Sequence, residues 1–317
     1  MDATPFTELV GCRYPIQQAG FGGVATIELA GAVAAAGALG MLTLDTPGLD
    51  GWLVGGPRRG EGIAPIGVNF LVPAGIDLER VEQVAAVVPL VEFFWASPER
   101  SVVARVHEGG ALACWQTGSV DEARAAADAG CDLVVAQGVE AGGHVRGTTP
   151  RDELVAAVVA AVDVPVIAAG GISTGRDIRA ALDAGAAAVR IGTAFVVARE
   201  SAAHERYVAA LVAAGAGDTE LTTAFGNGWP DAPHRVLRAS VDAATRAADG
   251  VVASFDGPLG RFDVERFSPY PPTRWTTGNV DAMAQYAGAG VDAVHESAPA
   301  AAILERLVAE ADATGHS

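Results

Sequence analysis

A histidine at the end of a glycine-rich run is the residue of this sequence best suited to acid–base chemistry. The run reads Gln137-Gly-Val-Glu-Ala-Gly-Gly-His144 and follows an apolar segment typical of a buried strand. An imidazole titrates near neutral pH and can take a proton from an acidic carbon, while Gly142 and Gly143 leave room for a substrate. We therefore predict that His144 is catalytic, the alternative being a solvent-exposed loop histidine.

Two further glycine loops have the composition of a phosphate site. Ala169, Gly170 and Gly171 follow one apolar run, and Gly192 and Thr193 follow the next. Backbone N–H groups at the start of a helix attract an anion, and glycine lets a phosphate approach closely. Neither loop has the lysine and hydroxyl of a nucleoside triphosphate loop, nor a GxGxxG pattern with an acidic partner. A monophosphate is therefore the predicted ligand, whereas a lone glycine loop would indicate only a tight turn.

Small residues and amides at other predicted strand ends complete the candidate site. Ala19, Gly20 and Phe21 can form the floor beneath a flat aromatic ring. Asn69 and Gln116 carry amides that donate and accept together, as the polar edge of an isoalloxazine requires. Capping of a neighbouring turn is the alternative role for these amides.

The elements that must position these residues recur as a helix, a glycine and a short apolar strand. Apolar runs without alternation favour parallel strands covered on both faces, and glycine ends the preceding helices. Eight such strands are predicted in the first 191 residues, at 15–18, 39–44, 66–71, 90–94, 111–116, 133–137, 165–168 and 188–191. The count favours an α/β fold of the (β/α)8 TIM-barrel type, with a doubly wound open sheet as the competitor.

The chain is predicted to divide into three parts. Residues 1–215 form the barrel and hold the cofactor, residues 216–279 form a small, mainly helical inserted cap after strand 8, and residues 280–317 form C-terminal helices that return to the barrel. The insert is rich in Pro, Gly, Trp and Arg, and a structureless loop of that length would be unusual in a compact domain. His234 lies in this insert and could approach the site.

Composition excludes several classes of partner. The formal net charge of −17 disfavours nucleic acid and anionic membrane surfaces. Cys12, Cys114 and Cys131 lie far apart, with no spacing typical of a zinc site, and are predicted to be reduced packing residues. No apolar run resembles a secretion signal or a membrane span, so we expect a cytoplasmic protein that acts on a small molecule. A homodimer is compatible with the sequence.

These segments together resemble the nitronate monooxygenase family of FMN-dependent barrels. The resemblance rests on Gly67-Val-Asn69, the His144 run, Pro165-Val-Ile-Ala-Ala-Gly-Gly171 and Gly192-Thr-Ala-Phe195. It implies that His144 is the catalytic histidine and that FMN contacts a set of positions that includes Asn69, Gln137, Gly143, Gly170, Gly171, Gly192 and Thr193. Ala19-Gly20-Phe21 departs from the family's common Ala-Pro-Met, and Arg190 stands where relatives often have glutamine.

The resemblance predicts FMN-dependent oxidation of a nitronate or nitroalkane by molecular oxygen. His144 would act as a base towards a neutral nitroalkane or would stabilise an anionic nitronate. One alternative is an NAD(P)H-dependent FMN reductase similar to the barrel-type enoyl-acyl-carrier-protein reductases, and another is a flavin-binding module without turnover. A third and less favoured enzymatic alternative is chemistry of the IMP dehydrogenase kind. It needs a loop cysteine near the phosphate site, whereas Cys131 should lie at the opposite face of the barrel.

Overall fold

Eight parallel strands form a (β/α)8 barrel in the computed structural model, which describes residues 1–56, 65–72 and 75–314. The barrel strands are β1 (Ile16–Gln18), β2 (Gly40–Thr43), β3 (Ile66–Leu71), β4 (Leu90–Phe94), β5 (Leu112–Thr117), β6 (Leu133–Gln137), β8 (Val166–Ala169) and β9 (Ala188–Ile191). Their spatial order is β1-β9-β8-β6-β5-β4-β3-β2, and a parallel bridge between Gln17 and Leu39 brings β1 beside β2. The predicted barrel and its eight strands are confirmed.

The helices of this part of the chain lie before, between and after these strands. They are α1 (Pro5–Val10), α2 (Ile27–Ala35), α3 (Leu49–Gly55), α4 (Leu78–Ala85), α5 (Arg100–Glu108), α6 (Val120–Ala129), α7 (Arg151–Val159), α8 (Gly175–Asp183), α9 (Thr193–Val196) and α10 (Glu205–Ala213). Gly130 ends α6 with a φ of +100°, a conformation that costs glycine little, and β6 begins three residues later. Ser119 and Thr174 start α6 and α8 by accepting hydrogen bonds from backbone N–H groups.

The barrel interior is apolar below the strand ends. Leu39, Met41, Leu90, Leu133 and Ile167 pack together there with Phe6 of α1. Cys114 belongs to the same cluster, and Cys131 lies in the outer core just before β6. Burial raises the pKa of Cys131 to about 12, so this thiol is not a ready nucleophile.

The inserted region is a mixture of strands and one helix, so the prediction of a mainly helical cap is wrong. It contains β10 (Thr219–Thr222), β11 (His234–Leu237), α11 (Arg238–Arg246), β12 (Val251–Gly257), β13 (Gly260–Glu265) and β14 (Thr276–Gly278). Strands β12 and β13 form an antiparallel hairpin, in which Gly260 has a φ of +97°. The central part of β12 alternates between more buried and less buried side chains, a period of two that favours a strand over a helix.

The described C-terminal part combines short 3-10 helices with an α-helix. The structure has two 3-10 turns, Val280–Ala282 and Val291–Ala293, followed by one α-helix, α12 (Ala300–Thr314), and residues 315–317 lie outside the described part. Gly288 and Gly290 explain the interruption, because their backbone packs against the site loops. A Cβ atom at Gly142 would lie 2.5 Å from the nitrogen of Gly288. In the described part of the chain, no helix is long and apolar enough to cross a membrane.

Candidate active site

A cavity of about 620 Å³ lies where the barrel strands end. Its volume is within the range of pockets that bind cofactors and small molecules. All residues predicted for the site line it, namely Ala19, Gly20, Phe21, Asn69, Gln116, Gln137, Gly142, Gly143, His144, Ala169, Gly170, Gly171, Gly192 and Thr193. The fold therefore brings together residues that are up to 174 positions apart in the chain, although their individual roles remain predictions.

The two glycine loops form one cradle beside the cavity. Gly170 and Gly171 follow β8 with φ values of +120° and +64°, and Gly192 precedes α9. A Cβ atom placed on Gly192 would have only the Ala19 side chain within 4 Å, at 3.7 Å. The first N–H groups of a helix have no intrahelical acceptor, so the start of α9 can receive an anion.

His144 is held at the cavity wall by a short strand pairing. The strand β7 (Gly143–His144) pairs antiparallel with β11, so that His144 lies opposite His234. The Gln137 amide, at the end of β6, donates a hydrogen bond of 2.9 Å to the His144 carbonyl oxygen. The backbone of the histidine is thereby fixed relative to the barrel.

The imidazole of His144 has a free ring nitrogen inside this wall. Its Nε2 atom is buried and has no hydrogen-bond partner among the described residues. Burial, with a smaller contribution from His234, lowers the pKa of His144 from 6.5 to about 3. The ring is therefore neutral at physiological pH and presents an unsatisfied polar atom, which is unusual for a buried group.

Aromatic rings surround this imidazole. Trp229 stacks on His144 with ring centroids 4.0 Å apart, and Trp95 meets it edge-on at 5.7 Å. Tyr286 lies 5.8 Å from the same ring. Trp95 has a φ of +73°, a strained conformation for a large residue and one that tends to occur at functional sites. These rings keep water away from one side of His144.

His234 is the second histidine of this wall, and its hydrogen bonds fix its protonation state. Its Nε2 atom accepts a 3.2 Å hydrogen bond from the Phe225 N–H, and its Nδ1 atom lies 2.9 Å from the Ala232 carbonyl oxygen. The first contact requires a bare Nε2 and the second requires a proton on Nδ1, so His234 is neutral. Burial also lowers the pKa of His234.

A buried ion pair lies at the floor of the cavity. The Arg190 guanidinium contacts the Glu92 carboxylate, and the Gln17 side chain hydrogen-bonds to both of them. Asn69 donates from its amide nitrogen to Glu92, and Arg190 donates to the side-chain oxygen of Gln116. Burial lowers the pKa of Arg190 to about 9, which leaves the guanidinium charged at neutral pH.

Several residues of the site were not found from the sequence. Trp229, Tyr270 and Tyr286 come from the insert and the segment after it, whose folding the local pattern did not predict. The Tyr270 hydroxyl is a buried atom with no hydrogen-bond partner in the described part of the chain, and burial together with Asp45 raises the pKa of that hydroxyl to about 12. Glu92 had a detectable signal, since a carboxylate within the apolar run Leu-Val-Glu-Phe-Phe is unusual in a buried strand.

The sequence profile of the nitronate monooxygenase family matches residues 3–85 and 61–310 of this chain. The chain belongs to this family. It is also 34% identical to a nitronate monooxygenase of Pseudomonas aeruginosa over 96% of this chain and 98% of that protein. The family consists of FMN-dependent oxidoreductases, and FMN is the cofactor of this chain.

Two other relatives of this chain are named as dehydrogenases rather than as nitronate monooxygenases. The chain is 37% identical to (3aS,4S,5R,7aS)-5-hydroxy-7a-methyl-1-oxo-octahydro-1H-indene-4-carboxyl-CoA dehydrogenase of Mycobacterium tuberculosis over 74% of this chain, and 33% identical to the protein of the same name from Rhodococcus jostii. These matches span 66% and 65% of the length of the two dehydrogenases.

Solved structures show the same architecture. FabK from Thermotoga maritima superposes with a TM-score of 0.79 at 28% identity, covering 100% of this chain and 98% of FabK. A nitroalkane oxidase from Streptomyces ansochromogenes gives a TM-score of 0.75 at 31% identity, with 98% and 99% coverage.

The observed cavity fits FMN by its own features. A glycine cradle opens at α9, amides of Asn69, Gln116 and Gln137 line the cavity beside it, and His144 has an orphaned buried nitrogen. A flavin phosphate needs such backbone donors, and the polar edge of its ring needs such amides.

Proposed function

We propose that this protein uses FMN and molecular oxygen to oxidise a nitronate or nitroalkane, with His144 as the proton acceptor. The observation that carries the proposal is the buried, unpartnered Nε2 atom of a neutral His144 on the cavity wall. Membership of the nitronate monooxygenase family and the likeness to a nitroalkane oxidase structure support it.

The proposed proton transfer goes from the carbon bearing the nitro group to Nε2 of His144. The electrons of the broken C–H bond remain on the substrate, which becomes a nitronate. With a pKa of about 3, His144 by itself is a weak base, but the proton transfer creates an imidazolium and an anion together. Their attraction in a poorly solvated site offsets the cost of burial, so the pKa of His144 rises as the nitronate forms. A substrate that arrives as a nitronate would instead bind to the protonated ring.

The surrounding residues prepare this transfer. Trp229 and Trp95 fix the plane of the imidazole and exclude water from it, and the Gln137 amide holds its backbone. FMN, when bound, would supply the acceptor for two electrons of the substrate, with oxygen as the final oxidant. We assign the phosphate of FMN to Gly170, Gly171, Gly192 and Thr193, and its ring to the cavity wall formed by Ala19, Gly20, Phe21, Asn69, Gln116, Gln137, Gly142, Gly143 and Ala169.

The role of His144 is tested with His144→Gln, which keeps an amide donor but cannot take up the proton. We expect this variant to bind FMN normally and to lose about 100-fold or more of the rate of FMN reduction by neutral nitroethane, because general bases contribute about 10²–10⁴-fold. Its reaction with preformed ethyl nitronate should fall much less. Equal losses with both substrates would refute the role as a base, and a full rate with nitroethane would exclude His144 from the chemistry.

A second candidate is reduction of FMN by a nicotinamide nucleotide, followed by reduction of an organic acceptor. The likeness to FabK and to two dehydrogenases favours it. Anaerobic mixing with NADH or NADPH separates the two functions, since rapid loss of the oxidised FMN absorbance would support the reductase. Binding of FMN with no response to nitroalkanes, nitronates or nicotinamides would support a module without turnover.

The cellular setting is also a proposal. Three free cysteines, of which Cys114 and Cys131 are buried, agree with a reducing compartment such as the cytoplasm. Fractionation of cells that produce the protein would test this location. Light scattering on purified protein would show whether the chain forms the homodimer with which its sequence is compatible.

A further inference from the structure

The ion pair at the cavity floor is almost completely removed from solvent. Glu92 on β4 is 0% exposed and Arg190 on β9 is 8% exposed. The two strands lie apart in the barrel, with β1, β2 and β3 between them on one side. Their charges therefore meet across the barrel interior rather than along one strand pair.

The neighbouring side chains satisfy both charges. The Glu92 carboxylate accepts from the Gln17 amide at 3.1 Å and from the Asn69 amide, in addition to its contact with Arg190. The Gln17 side-chain oxygen accepts from Nε and Nη2 of Arg190 at 3.2 and 3.1 Å, and Gln116 accepts from Nη1. The guanidinium is thus fixed in one orientation.

The two charged residues differ in their position relative to the cavity. Arg190, Asn69 and Gln116 line the cavity, whereas Glu92 does not. The positive end of the pair is therefore exposed to a bound ligand, and the negative end lies behind it. Within the described part of the chain, Arg190 is the only lysine or arginine that lines this cavity.

The contribution of this ion pair to the stability of the fold does not explain why it is buried. Desolvation of two charges offsets much of their attraction, and an apolar pair of similar volume is often as stable. A buried cation at a cofactor site is a means of changing the electronic properties of the cofactor.

We propose that Arg190, oriented by Glu92 and Gln17, raises the reduction potential of bound FMN. An oxidised flavin that gains two electrons and one proton from its reductant carries one negative charge more than before. A fixed cation at the cavity stabilises that charge, and the carboxylate behind it reduces the effect without cancelling it. The inference rests on FMN as the cofactor and is independent of which substrate reduces it.

The test compares the reduction potential of bound FMN in the wild type with three variants. Arg190→Gln should lower the potential, and Glu92→Gln should raise it. The double variant removes both charges and should lie between Arg190→Gln and the wild type. We expect each single variant to change the ratio of the dissociation constants of oxidised and reduced FMN by tenfold or more, about 30 mV for a two-electron couple.

Arg105→Gln is the matched control, because it removes an exposed arginine on α5 with the same change in net charge. Solvent and salt should screen that change, so the potential should equal that of the wild type. If a single variant fails to fold or to bind FMN, the double variant decides: a potential below the wild type supports the proposal, and an equal or higher one overturns it. Single variants that shift the potential in the same direction also overturn it. A wild-type protein that does not bind FMN would contradict the cofactor assignment instead.

Discussion

Replacement of Gly192 by alanine separates cofactor binding from folding. Gly192 has a φ of −108°, which alanine can adopt, and a Cβ atom there would contact only the Ala19 side chain, at 3.7 Å. The fold should therefore accept the methyl group without strain. The methyl group would nevertheless occupy space in the cavity at the start of α9, where we place the phosphate of FMN.

The magnitude follows from the contacts that the methyl group would disturb. Hydrogen bonds to a charged group contribute about 1.5–3 kcal/mol, and the added methyl group should weaken at least one bond from the first turn of α9 to the phosphate. Each 1.4 kcal/mol or so is a factor of ten in affinity. We expect the Kd for FMN to rise by about tenfold or more.

The assay is fluorescence titration of apoprotein with FMN, together with a thermal melt of the apoprotein. Gly31→Ala on α2 is the control, because no atom outside the neighbouring backbone of α2 lies within 4 Å of the added Cβ and the residue does not line the cavity. Both apoproteins should melt within a few degrees of the wild type, and only Gly192→Ala should lose affinity. A Kd within twofold of the wild type for Gly192→Ala would refute the placement of the phosphate.

Three further predictions concern the environment of His144 and the packing of α8 against α12. Trp229→Ala should raise the pKa of His144 from about 3 towards 6.5, measured by NMR titration of the ring, because it removes the stacked ring that buries the imidazole; an unchanged pKa would contradict this cause. Because the pKa of His144 is depressed in the folded state, the unfolded chain takes up a proton there first as the pH falls through 6.5. The apoprotein should therefore lose stability between about pH 6.5 and 3, and His144→Gln should lose less. Equal pH profiles of the melting temperature for the two proteins would contradict this prediction. Gly175→Ala should lower the free energy of unfolding by about 1–3 kcal/mol, and with it the melting temperature, because the added Cβ would collide with the backbone of Ala311 between α8 and α12. An unchanged melting temperature would show that the two helices move apart freely.

The barrel could be predicted because each strand carries its own local signal. Buried parallel strands such as β6 are continuous apolar runs, and glycines such as Gly130 mark the end of the helix before them. The site residues could be predicted for a related reason. In a barrel the strand ends meet at one face, so Asn69, His144 and Gly192 converge whatever their separation in the chain.

The cap could not be predicted in the same way. Its strands pair over long or irregular connections, as β7 does with β11, and His144 meets His234 only through that pairing. Trp229 lies in a connection without periodicity, and its stacking on His144 depends on the tertiary fold. The composition of 216–279 indicated an ordered insert but did not distinguish strands from helices.

The buried pair of Glu92 and Arg190 illustrates a second limit. Both residues were visible in the sequence, yet nothing local showed that they meet across the barrel. Charged residues inside apolar strands are therefore candidates for partners on distant strands. The carboxylate inside the apolar run of β4 is the local signal from which Glu92 could be predicted as part of the site.

The most direct test of the proposed function is an anaerobic absorbance titration of the FMN-loaded protein with ethyl nitronate and nitroethane, followed by NADH and NADPH. We expect the nitro compounds to bleach the oxidised flavin spectrum and the admission of oxygen to restore it. Bleaching by a nicotinamide nucleotide with no response to either nitro compound would contradict the account and would establish the reductase instead.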